Sequence, residues 1–169
     1  KLTGALPAIS GASLTNLPSG GKVLQIVNYQ TATVNTGTTT IPNASAEVTI
    51  TMGNQYMTLA ITPTSATSKL RIDFVVHSSP SSGAVVTGAL FQDSTTNALA
   101  ANGFYMPTGT GTGVLSNTYH MVSGTTSATT FRVRVGMSSS GTLSFNGANG
   151  GTRFGSAVKS SITITEYEV

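Results

Sequence analysis

Beyond residue 22 the chain alternates apolar and polar positions with a period of two, the spacing of half-buried strands, and no window carries the 3.6-residue periodicity of a helix. The clearest run is KLRIDFVVH, residues 69–77, in which Leu70, Ile72 and Phe74 fall on one face and Arg71, Asp73 and Val75 on the other. One of those faces is expected to enter a core. Comparable runs are KVLQIVNY (22–29), AVVTGALFQ (84–92), VLSNTYHMV (114–122), TTFRVRVGM (129–137), TLSF (142–145) and SITITEYEV (161–169), each bounded by Gly, Ser, Asn or Pro. A shorter piece falls at 98–104. Residues 46–52 and 56–62 also alternate and flank Gly53 and Asn54, so they read as an antiparallel hairpin. The Thr-rich stretch from Thr31 to Pro42 reads as an exposed loop or an edge strand. In the closing run Ile162, Ile164 and Glu166 share one side while Thr163, Thr165 and Tyr167 share the other.

Eight or nine short strands without a helix predict an all-β fold, two packed antiparallel sheets forming a jelly-roll-like β-sandwich. A chain of 169 residues suffices for one such head. The first residues do not belong to it. Leu2, Leu6, Ile9, Leu14 and Leu17 are spaced too irregularly for a helix and are interrupted by Pro7 and Pro18, while LTGALP and LTNLP nearly repeat one another. Such a segment has no local way to bury its leucines and is expected to bury them against other chains, as a stalk does. Ser19, Gly20 and Gly21 form a joint, which gives a stalk and hinge over 1–21 and a head over 22–169.

Composition narrows the function. Only 8% of residues are charged, whereas Ser and Thr together fill about fifty positions, so hydroxyls keep the surface wetted. The net charge of +3 comes from scattered side chains with no cluster able to neutralise a row of phosphates, which argues against nucleic-acid binding. No apolar run reaches the length of a membrane helix, so membrane insertion is not expected. With no cysteine there is neither a disulfide framework nor a thiolate metal site, and stability must come from packing and association.

Catalytic constellations are equally sparse. Asp73 and His77 lie four apart on one strand, about 13 Å by the strand rise, too far for a dyad. Asp73 is better read as an ionic partner of Arg71 across strands or subunits. His77 and His120 lack the spacing of metal ligands, and only a threefold ring of imidazoles would give either a metal or an anion to hold. Asp93 and Glu47 are the one carboxylate pair a glycosidase would have free, and nothing in the sequence brings them together. TGTGTG (108–113) and NGANGG (146–151) lack the lysine and helix of a phosphate loop and read as long turns. Beside the first lie Phe104, Tyr105 and Tyr119, aromatic residues suited either to the core or to stacking on a sugar or protein partner, and these are the candidate receptor-facing residues. Asn43, Ala44 and Ser45 form a glycosylation sequon that matters only in a eukaryotic secretory pathway. No catalytic residue, metal ligand or cofactor is expected.

The leucine and proline stalk, GKVLQIV, ITPTSATSKLRIDF at 61–74, the Asn146–Gly147 turn and the closing SSITITEYEV, in this order, resemble the C-terminal head of bacteriophage tail-fibre and related virion-fibre proteins. The resemblance implies a parallel homotrimer with a β-sandwich head on an intertwined stalk, exposed on the virion surface. Its partners would be other virion proteins, reached through an N-terminal part, and a host-surface glycan or protein. Leu2, Leu6, Ile9, Leu14 and Leu17 would then face the threefold axis, and strands 22–29, 69–77 and 160–169 would be framework. Receptor loops differ from member to member, so the resemblance assigns no binding residue. The function it implies is non-covalent host attachment. A purely architectural capsid-decorating or neck fibre is the alternative, and a polysaccharide depolymerase fits the sparse carboxylates least.

Overall fold

The computed structural model describes residues 21–107 and 111–168, and the five stalk positions Leu2, Leu6, Ile9, Leu14 and Leu17 lie outside them. Twelve strands follow in order: β1 (Val23–Thr31), β2 (Asn35–Gly37), β3 (Asn54–Ile61), β4 (Lys69–Pro80), β5 (Ala84–Gln92), β6 (Ala100–Met106), β7 (Gly113–Val122), β8 (Thr129–Met137), β9 (Leu143–Phe145), β10 (Gly147–Ala148), β11 (Gly151–Thr152) and β12 (Ser160–Tyr167). The first sheet runs β1-β12-β4-β7, with β9 and β2 extending it past the start of β12. The second runs β3-β8-β5-β6. Every pairing is antiparallel. Apart from the β5–β6 pair, the chain changes sheet between successive long strands, which is the double Greek-key path of a jelly roll.

Alternation decides what lies between the sheets. Leu70, Ile72, Phe74 and Val76 of β4 and Ile162 and Ile164 of β12 pack against Val86 and Leu90 of β5 and Phe131, Val133 and Val135 of β8, all buried. The register places Ile72 opposite Ile164 and Phe74 opposite Ile162, so one-residue slippage would expel the whole set. Tyr56 stacks on Phe145 at 4.6 Å between ring centres, closing the core where β9 meets β4.

The hairpin expected over 46–52 and 56–62 does not form. β3 pairs with β8 instead, and residues 46–52 make a single bridge, Thr49 to Asn97, flanked by hydrogen bonds from Ile50 N to Thr96 O and from Ala98 N to Val48 O. The physical reason lies in the outer face of the second sheet. β5 is apolar on both faces, and Ala89 and Phe91 point away from the sandwich core yet are fully buried together with Ile41. The segment from 38 to 53 lies over that face. Arg134 fastens it by donating from Nε to Met52 O at 2.8 Å and from Nη2 to Gly53 O at 2.6 Å, and Ile41 N bonds Met137 O. Gly53 is left-handed, with φ 64, and a Cβ there would press on Ile41 and on the carbonyl of Val135.

Two polar clamps close the sandwich at opposite ends. At one end, where residues 21–22 and 168 pair (Gly21 N to Glu168 O, Glu168 N to Lys22 O), Glu166 is wholly buried beneath the β3–β4 turn. At the other, Asn146, left-handed at φ 56 and buried, donates from Nδ2 to Thr31 O, accepts from Ser160 Oγ at 2.6 Å, and donates its backbone N–H to His77 O. Through its side chain and its backbone N–H together, that one residue ties the end of β1, the end of β4 and the start of β12.

Candidate functional site

The strand registers sort surface chemistry by end. Residues 21–22 and 168, the β3–β4 turn and the β7–β8 turn share the Glu166 end. The turns at 81–83 and 138–142 and the segment 146–159 share the Asn146 end.

Glu166 stands on the inward face of β12 in line with Ile162 and Ile164. Ser68 Oγ donates to its Oε1 at 2.5 Å, Thr64 Oγ1 at 2.9 Å and Thr64 N at 2.9 Å, while Gln25 Nε2 donates to Oε2 at 2.6 Å. Burial alone would push this carboxyl up, but hydrogen bonds from Ser68, Gln25 and Thr64 outweigh it and hold the group at about 2. It is an ionised acceptor that folds a turn around itself. Ser123 extends the network by donating from Oγ to Ser65 O at 2.5 Å, and Ser123 N bonds Ser68 O. No proton donor of useful acidity results.

Several other ionisable side chains are engaged as well. Arg71 Nε and Asp73 Oδ2 lie 2.9 Å apart on the same strand, so the ionic partnership runs along β4 rather than across strands, and Thr118 Oγ1 donates to Asp73 Oδ1. Asp93 accepts from Thr129 Oγ1 and Thr130 N, and Asn97 donates to Glu47. His120 Nδ1 lies 3.1 Å from Tyr167 OH with the rings edge-on. His77 sits at the end of β4, its backbone N–H bonded to Ser160 Oγ, and partial burial holds its imidazole below the usual range. Among the described residues no group of three or more His, Asp or Glu side chains converges on a common point.

The three aromatic candidates separate. Phe104 turns inward from β6 and packs over Gly113, where a Cβ would overlap its ring. Tyr119 stands opposite Ile72 and is half-buried against the core. Tyr105 points out, 64% exposed, above Gly83.

An aromatic residue that sequence reasoning passed over is more exposed than any of them. Phe154 is 80% exposed and lies in a one-turn 3-10 segment in which Phe154, Gly155 and Ser156 all adopt positive φ (50, 61 and 68). With Val114, itself 53% exposed, and Gln30, His77, Ala157 and Lys159 it lines an open groove at the Asn146 end of the first sheet's outer face. The only signal in the sequence was a large apolar residue isolated within GTRFGSAVKS.

No protein-family model and no curated protein matches the chain. Among solved structures it is similar to a CBM4 structure at 14% identity and TM-score 0.42, over 78% of this chain and 77% of that one. It is also similar to the enzymatically active domain of tailspike protein 4 of bacteriophage CBA120, at 17% identity and TM-score 0.28, over 71% of this chain and 18% of that one. A third is infectious bursal disease virus, Gx strain, at 12% identity and TM-score 0.36, over 86% of this chain and 38% of that one. What the geometry establishes by itself is an antiparallel jelly-roll sandwich, clamped at one end by Glu166 and at the other by Asn146.

Proposed function

We propose that this chain is the head of a trimeric virion fibre and that it attaches, without catalysis or cofactor, to a glycan or protein on a host surface. The observation that carries the reading is the division of labour between the two ends. Residue 21 enters at the Glu166 end, so a stalk formed by the preceding residues would join there. The turns at 81–83 and 138–142, with Phe154 nearby, would then face away from the particle. The clamp residues support the same reading: Thr64, Ser65 and Ser68 of ITPTSATSKLRIDF fold around Glu166 of SSITITEYEV, and Asn146 of the Asn–Gly turn holds the far end. On this reading these stretches of the head serve as framework, and receptor recognition falls to other surfaces.

Association would use exposed apolar residues at the stalk end and along the edge strand. Ile26 on β1 is 61% exposed and Val23 on the same strand is also open, an apolar edge that three copies would cover more fully than one. Three heads per fibre then turn weak contacts into durable attachment through high effective concentration. Fluorescently labelled chain should decorate susceptible bacteria and compete with infection. Decoration of no strain in a broad panel, together with tight binding to purified particles, would favour the architectural fibre instead.

A further inference from the structure

We propose that the groove formed by Phe154, Val114, His77, Gln30 and Lys159 is a saccharide-binding site with a preference for sugars that carry an anionic group. The inference deepens the attachment reading above and rests on it.

Phe154 is held in a left-handed conformation that a bulky side chain adopts only under constraint, and its ring contributes nothing to the core. Among the described residues nothing covers the ring or offsets the backbone strain. The neighbouring positions are fixed independently of the ring: Ala157 N bonds Phe154 O, and Ser160, which ends the segment, is locked between His77 N and Asn146 Oδ1. The ring is therefore presented from a rigid base. Aromatic faces stack on the apolar face of a pyranose, and here Val114 and Ala157 extend that platform. Gln30 and Thr112 supply the amide and hydroxyl groups that would pair with sugar hydroxyls.

Charge selects among sugars. Among the described residues, the ionisable groups lining the groove are His77 and Lys159 and none is a carboxylate, and Arg153 immediately precedes Phe154. A carboxylate or phosphate on the glycan would meet the exposed Lys159 ammonium without a compensating repulsion. The groove is open and about 610 Å³, roomy enough for a short saccharide lying along the sheet but not enclosed enough to bury one.

The test uses the full chain on an array of acidic (uronic, phosphorylated and sialylated) and neutral oligosaccharides, with Phe154→Ala and Lys159→Gln beside it and their thermal midpoints measured. Wild type should retain acidic members. Phe154→Ala should lose at least tenfold in affinity at an unchanged midpoint, and Lys159→Gln should erase the preference for acidic over neutral sugars. Retention of no acidic sugar by wild type, or equal retention by wild type and Phe154→Ala, would overturn the proposal. So would a mass shift with concentration that Phe154→Ala abolishes, since a second copy would then be the occupant. Adsorption of the same proteins to a bacterial panel separates the two levels. If wild type and Phe154→Ala decorate cells equally, attachment stands and this groove is excluded. If wild type decorates none, the attachment reading itself fails.

Discussion

Ser68 and Glu166 lie 98 positions apart in the chain, yet Ser68 Oγ donates to Glu166 Oε1 at 2.5 Å in a site closed to solvent. The bond joins the turn before β4 to the last strand of the same sheet. Because the carboxylate has no cation beside it among its hydrogen-bond partners, its charge is balanced by hydroxyl, amide and backbone donors alone, an arrangement that requires all of them at once.

Removing the charge should therefore loosen the end of the sandwich where residues 21–22 pair with residue 168. Glu166→Gln keeps the shape but sets an amide N–H against donors, and Glu166→Ala takes away the acceptor of the Thr64 and Ser65 backbone N–H groups and of Thr64 Oγ1. We expect losses on the order of 2 and 3 kcal/mol respectively, read as lowered denaturant midpoints with unchanged m-values. Ser68→Ala should lose about 1 to 2 kcal/mol. A full wild-type midpoint for Glu166→Ala would show that the clamp does not hold the turn.

The same residue sets an acid limit. Its carboxyl is held at about 2 in the folded state, below the value near 4.3 of an unfolded glutamate, so its contribution is fully present above the unfolded value and is lost as pH falls from about 5 towards 2. Burial also holds His77 below its usual range, so charging it in acid acts in the same direction, beginning at higher pH. Chemical denaturation from pH 7 to pH 2.5 should show both steps, and Glu166→Gln should retain only the earlier one.

At the opposite end, Asn146→Ala removes three side-chain bonds, to Thr31 O, Thr33 O and Ser160 Oγ, from a buried position and a residue tolerant of positive φ. A loss of about 2 to 4 kcal/mol is expected. Hydrogen exchange should quicken at residues 31, 77 and 160 before it quickens at β8. Uniform exchange across the head would contradict a local clamp.

The cover on the second sheet offers a separate test. Ile41→Ala should cost about 2 to 5 kcal/mol and Phe91→Ala about 3 to 5, as for any core truncation, although neither side chain lies between the two sheets. Wild-type stability in both would mean that segment 38–53 does not cover the face.

Most of the architecture was legible in the sequence because alternation and burial coincide wherever only one face is covered. β4, β8 and β12 were readable for that reason, and Glu166 aligned with Ile162 and Ile164 already marked a carboxylate turned inward. The hairpin over 46–52 and 56–62 misled because 46–52 makes a single bridge, Thr49 to Asn97, while β3 takes β8 as its partner. The candidate surface was less legible. Phe104 and Tyr119 resemble Tyr105 in sequence, and only register turns the first two inward. Phe154 follows no periodicity at all, since its exposure is set by three successive left-handed residues that no strand or helix pattern encodes.

Attachment by many weak contacts requires more than one head per fibre, so oligomeric state tests the account most directly. Sedimentation equilibrium of the full chain, with a variant lacking residues 1–20 and with Leu14→Ser/Leu17→Ser beside it, should give three times the 17.2 kDa chain mass for wild type and a weakened trimer for both variants. A wild-type chain that remains at 17.2 kDa across the accessible concentration range would contradict the account.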